Sequence, residues 1–105
     1  MYNINHIIQL IKSSVLTTEP NATVVLYGSY ARGDNRDDSD IDLVILLDKE
    51  AVTGSDERRI IHPLYDIEFE TGITINPVVI SKNDWESRLR ITPFYENVIK
   101  EGKVL

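Results

Sequence analysis

Residues 40–47, DIDLVILL, constrain this chain more than any other stretch: two carboxylates stand at the entrance of an otherwise aliphatic, partly β-branched run. Such a run is too short for a buried helix and has the composition of a strand closed off from water. Strands disfavour aspartate, so Asp40 and Asp42 need a reason to be there. Side chains one residue apart on a strand point to the same face, which brings both carboxylates to one place. A second apolar run, Thr23 to Tyr27, ends at Gly28-Ser29, and ten residues separate Ser29 from Asp40. That interval lets the chain turn back and lay the second strand beside the first. The bend and the acid pair then face one cleft.

The flanking segments fit helices packed on such strands. Residues 3–17 predict an amphipathic helix with Ile4, Ile7, Ile8, Ile11 and Val15 on one face and Asn3 as cap. Tyr30-Ala31-Arg32 suits a short helical turn closed by Gly33, before a polar loop over residues 34–39. After a loop at 48–55, Ser55 is the expected cap of a helix from Asp56 to about Thr71, with Ile60, Ile61, Leu64, Ile67 and Phe69 toward the core. Pro63 predicts a kink or a restart in it, and Gly72 stops it. A third strand is expected over Ile73–Ile80, at a sheet edge or bulged because of Pro77. Ser81 then caps a helix to Arg90, Thr92-Pro93 opens another to about Lys100, Glu101-Gly102-Lys103 turns, and Val104-Leu105 forms a tail. The expected fold class is α/β (α+β): a small mixed sheet of three to four strands with helices packed on it, in a single domain over residues 1–105.

Composition bounds the chemistry. The 105 residues include no cysteine, which excludes disulfides, thiolate chemistry and Cys-based zinc sites. No apolar run approaches the ~20 residues of a membrane span, and the first residues lack a signal-peptide pattern, so no membrane association and a cytoplasmic location are expected. A net charge of −6 argues against tight binding to duplex DNA. It leaves room for a nucleotide, because a divalent cation supplies the positive charge that the side chains lack.

Gly28 lets phosphate oxygens approach the backbone, and Ser29 at the start of a helical turn adds a hydroxyl to the exposed amides. The acid pair offers oxygen ligands suited to Mg²⁺ or Mn²⁺. Tyr27-Gly28-Ser29 followed by Asp40-Ile41-Asp42-Leu43 resembles the DNA polymerase β-like nucleotidyltransferase superfamily. The longer string GSYARG…SDIDL is similar to its minimal nucleotidyltransferases, which include the MntA-type antitoxins. The C-terminal stretch SKNDWE…TPFYENVIKEGKVL also looks like a bacterial subgroup of these domains.

The resemblance implies the polymerase β-like fold and transfer of a nucleoside monophosphate, AMP from ATP, to a protein or other acceptor. By the same resemblance, Asp40 and Asp42 are catalytic and hold the metal, while Gly28, Ser29 and Arg32 bind the nucleotide. It further implies a HEPN-type helical toxin as partner, and the small size suits dependence on a partner or self-association into a homo-oligomer. The family's third carboxylate is missing from residues 73–80, ITINPVVI, where Asn76 or Thr74 takes its place. An asparagine can ligate a metal but cannot usefully accept a proton. The alternative is therefore a nucleotide-binding module that neutralises its partner by contact. Tyr27 and Tyr30 suit either a base contact or packing, and Trp85, Phe94 and Tyr95 suit core or a partner surface.

Overall fold

A computed structural model describes residues 3–87 and 89–105. In chain order the elements are α1 (Ile4–Thr18), β1 (Thr23–Tyr27), α2 (Ser29–Arg32), β2 (Ile41–Leu47), α3 (Gly54–Thr71), β3 (Ile75–Ser81), α4 (Lys82–Glu86), α5 (Pro93–Glu101) and β4 (Lys103–Val104). The sheet runs β3-β2-β1-β4. β1 is antiparallel to β2 and β4, whereas β2 and β3 are parallel, so the sheet is mixed and four-stranded as the α+β expectation required.

Strand β2 lies inside the sheet and is covered on both faces, which accounts for its unbroken apolar run. Ile41, Leu43, Ile45 and Leu47 join Val24 and Leu26 of β1 against Ile7, Ile11 and Val15 of α1 and Ile60 and Leu64 of α3. Val44 and Leu46 face the other way and pack with Val25, Trp85 of α4 and Val98 of α5. On that second face Trp85 lies 4.7 Å from Tyr95 and 6.0 Å from Phe94, and Phe94 meets Tyr27 edge-on at 5.5 Å. The three C-terminal aromatics thus belong to the core, and the ring of Tyr27 packs.

Several expectations need correction. α3 begins at Gly54, and its cap is Thr53 rather than Ser55. The Thr53 hydroxyl accepts from the Asp56 amide at 3.1 Å while the Asp56 carboxylate accepts from the Thr53 amide at 3.0 Å, a reciprocal capping box. The helix continues through Pro63 as one element, without the restart offered as one alternative there. Phe69 is 92% exposed and lies outside the core. β3 starts at Ile75 rather than Ile73, and Pro77 sits on it at the sheet edge, where its missing amide costs no ladder bond. α4 ends at Glu86, short of the expected Arg90, and Arg88 lies outside the described residues. Lys103 and Val104 form a strand instead of part of a turn and a tail.

Two features of α3 give measurable stability effects. Thr53→Ala removes the cap and is expected to cost about 1 kcal/mol, lowering the thermal midpoint by roughly 4–8 °C in a melting experiment. Asp56 also accepts from Lys49 at 2.7 Å and Arg59 at 2.8 Å, and both cations reach Glu19 at the end of α1, at 3.0 and 3.1 Å. These partners, Lys49 first in each case, hold the Asp56 and Glu19 carboxyls below their ordinary values. A carboxylate depressed in the folded state stabilises above its unfolded pKa and loses that contribution as pH falls. The midpoint is therefore expected to drop as pH is lowered from 7 toward 3, and Asp56→Asn to flatten that dependence.

Candidate active site

The bend comes first. Gly28 leaves β1 at φ 75°, ψ −156°, a conformation open in practice to glycine alone. A Cβ there would also collide with the carboxylate of Asp42. Glycine is thus required twice, by the backbone and by an acid lying directly against it. α2 starts at Ser29 as a single turn: the Ala31 and Arg32 amides donate to the Gly28 carbonyl at 3.1 and 3.0 Å. Gly33, in the left-handed region, closes the turn.

The acids come from β2 and the residues just before it. Asp42 pairs with Tyr27 across the antiparallel ladder and with Asn76 across the parallel one. Asp40 is exposed and precedes the strand by one residue. The Asn76 side-chain amide donates to the Asp40 carboxylate at 3.0 Å and leans toward that of Asp42 at 3.4 Å. One nitrogen within reach of both shows that the carboxylates converge on the face carrying Val44, Leu46 and α5. Burial pushes the Asp42 carboxyl up, the Asn76 amide opposes it, and the neighbouring Asp40 charge adds to it. Oxygen donors that crowd together and are partly stripped of water suit a hard divalent cation, which would complete its shell with phosphate oxygens and water. Among the described residues no third carboxylate or imidazole joins them as a metal cluster. Asn76, one of the two residues expected there, stands in the third position, and Glu68 on the preceding helix accepts from the Ile75 amide at 2.8 Å.

Arg32 projects from α2 and is paired. Its guanidinium donates to Glu101 at 2.8 Å and to Asp34 at 3.1 Å. The other oxygen of Glu101 accepts from the Gly28 amide at 3.3 Å. Arg32, then the Gly28 amide among the favourable contacts, hold the Glu101 carboxyl below its ordinary value. The Tyr27 phenol is pushed up by burial and then by Asp42 and Glu101, so it stays neutral. Sequence reading left Glu101 in a turn with no role, because the signal that places it, a two-residue strand, is too short to recognise.

All five expected site residues therefore meet at one end of the sheet: Gly28, Ser29 and Arg32 across from Asp40 and Asp42. His6 and His62 are exposed on α1 and α3, away from it. Asp40 is exposed and Asp42 is half-buried. An open cavity of about 670 Å³, lined by Ile4, Tyr30, Arg36 and Ile73 among others, contains none of the five and borders the α1/α3 side. Among the described residues no helix is long and apolar enough to cross a membrane.

The family described as nucleotidyltransferase domain matches residues 8–105. Two proteins of Methanocaldococcus jannaschii, both named "putative protein adenylyltransferase", resemble the chain. One is 34% identical over 82 residues, covering 78% of this chain and 75% of the relative; the other is 35% identical over 81 residues, covering 72% and 81%. Among solved structures, a chain of a toxin–antitoxin complex crystallised with AMP-PNP superposes with a TM-score of 0.62 at 21% identity, over 98% of this chain and 72% of that one. A nucleotidyltransferase-type structure from Sulfolobus solfataricus gives 0.52 at 20% identity, over 96% and 83%. These two share the fold. With the Gly28 bend lying against Asp42 and the family pattern spanning nearly the whole sequence, the chain belongs to the nucleotidyltransferase-domain family and is a minimal nucleotidyltransferase.

Proposed function

We propose that this nucleotidyltransferase moves AMP from ATP, with Mg²⁺, onto a hydroxyl of a protein, and that the acceptor is a HEPN-type helical toxin held in a toxin–antitoxin pair. The observation that carries the site assignment is the contact of the Asp42 carboxylate with the Gly28 bend, with Asp40 drawn in through Asn76. The donor and acceptor are supported by relatives named as protein adenylyltransferases and by the AMP-PNP-bound toxin–antitoxin neighbour. Asp40 and Asp42 would hold Mg²⁺ or Mn²⁺, which when bound supplies the positive charge that offsets the phosphates. Ser29, the amides of the bend and Arg32 orient the triphosphate chain.

The acceptor oxygen attacks the α-phosphorus, the bond from that phosphorus to the bridging oxygen breaks, and pyrophosphate leaves with the electron pair. Asn76 cannot take the hydroxyl proton, which passes to solvent. Asp40 is exposed beside the half-buried Asp42, and the partner would form the other wall of the cleft. Asn76 favours the second reading, a module that binds nucleotide and silences its partner by contact. The discriminating experiment incubates the protein with its toxin partner, Mg²⁺ and ATP labelled at the α-phosphate. Covalent label on the partner is expected; protection of the partner without label, unchanged by mutating Asp42, establishes the contact mechanism instead.

A further inference from the structure

The donors assigned to the triphosphate are already engaged. Glu101 lays one carboxylate oxygen on the Gly28 amide and the other on the Arg32 guanidinium, at 3.3 and 2.8 Å. A pair of phosphate oxygens would use the same two donors in the same way. Glu101 is the last residue of α5, and the chain passes through Gly102 directly into β4, whose Lys103 pairs with Leu26 two residues before the bend. Gly102 makes the approach possible, since a Cβ on it would lie 2.8 Å from a Val25 methyl carbon. Glu101 therefore arrives at the bend by a specific local design, although it stands 73 positions along the chain from Gly28.

We propose that Glu101 is a specificity-determining residue of the nucleotide site, an internal anion that an incoming phosphate group must replace. The inference rests on the reading of Gly28, Ser29 and Arg32 as the phosphate-holding set. Glu101 does not replace the missing third acid: Arg32 and the Gly28 amide stabilise its charged form, the reverse of what a proton acceptor needs. Exchange is feasible because the amide bond is long and the Arg32 pair is half-exposed. A monophosphate gains little by exchanging one anion for another. A triphosphate that also binds a cation held by Asp40 and Asp42 adds a second attachment and displaces the carboxylate. The site thereby selects metal-bound triphosphate over free phosphate.

Calorimetric titration of wild type and Glu101→Gln with ATP plus Mg²⁺, ATP plus chelator, and inorganic phosphate tests this. Glutamine keeps an oxygen for the Gly28 amide but removes the charge from Arg32. The variant is expected to bind Mg²⁺–ATP about ten-fold more tightly, as the loss of one charge-assisted competitor implies. It should also gain binding of metal-free ATP and phosphate, and lower KM with little change in kcat. The Gly28 amide resonance, followed by NMR, should shift in the variant, and in the wild type on adding nucleotide. Wild-type binding with equal or weaker binding by a variant of unchanged melting temperature overturns the proposal and leaves Glu101 as a structural support of Arg32. No Mg²⁺–ATP binding by either protein overturns the nucleotide reading itself, and this proposal with it.

Discussion

Asp42→Ala is expected to lower the rate of nucleotidyl transfer by about 10²–10³-fold, the range seen when one fixed electrostatic contact to a reacting group is removed. Asp42 is the member of the pair anchored within the ladder, with partners on both sides, so no other residue can shift to fill its place. The stability effect should run the other way. A carboxyl whose folded-state pKa is raised, here chiefly by burial, is one whose charge disfavours folding above that pKa. At neutral pH the variant should melt no lower than the parent, while the gain in melting temperature produced by Mg²⁺ and ATP disappears. A variant that keeps more than a tenth of the label-transfer rate would remove Asp42 from the metal site.

Gly28→Ala carries the largest expected cost in stability and damages the site as well. The substitution forces an alanine into a backbone region that L-residues rarely enter and drives its methyl group into the Asp42 carboxylate. Backbone strain and overpacking together give about 2–4 kcal/mol, or a fall in the melting midpoint on the order of 10 °C or more. The displaced Asp42 side chain no longer meets Asp40, so transfer should fall at temperatures where the variant remains folded. A control is available in Gly33→Ala: Gly33 also has positive φ, at 84°, but open space surrounds its missing Cβ. If both variants lose equally, steric contact with Asp42 is irrelevant and only the dihedral angle counts.

Much of the site was legible in the sequence because its logic is local. Asp40 and Asp42 converge through the two-residue period of a strand, and Gly28-Ser29 marks a bend at the end of another. The ten intervening residues bring the two together once the strands pair antiparallel. Asn76 was legible only as one of two residues, with Thr74 the other; the start of β3 at Ile75 and its register set Asn76 beside Asp42. What escaped depends on register and on competition among neighbouring caps. Thr53 displaced Ser55 because Asp56 completes a reciprocal pair with Thr53. Phe69 fits the helical period of α3 closely enough to suggest burial, yet it is exposed. β4 is two residues long, and its pairing with β1 is a tertiary event with no local signature, so Glu101 passed for part of a turn.

The central position of β2 has a consequence for the chemistry at its mouth. Its amides and carbonyls are engaged on both flanks, and its side chains are packed above and below, so it opens to solvent only with the whole core. Asp42, fixed near the start of that strand, is therefore preorganised: little reorientation remains to be done when charge develops on a substrate. Asp40, one step outside the ladder, is exposed and is held there by the Asn76 amide at 3.0 Å. On the proposed reading, the pair would join one metal ligand held within the ladder to one just outside it, both at the mouth of a scaffold that stays closed.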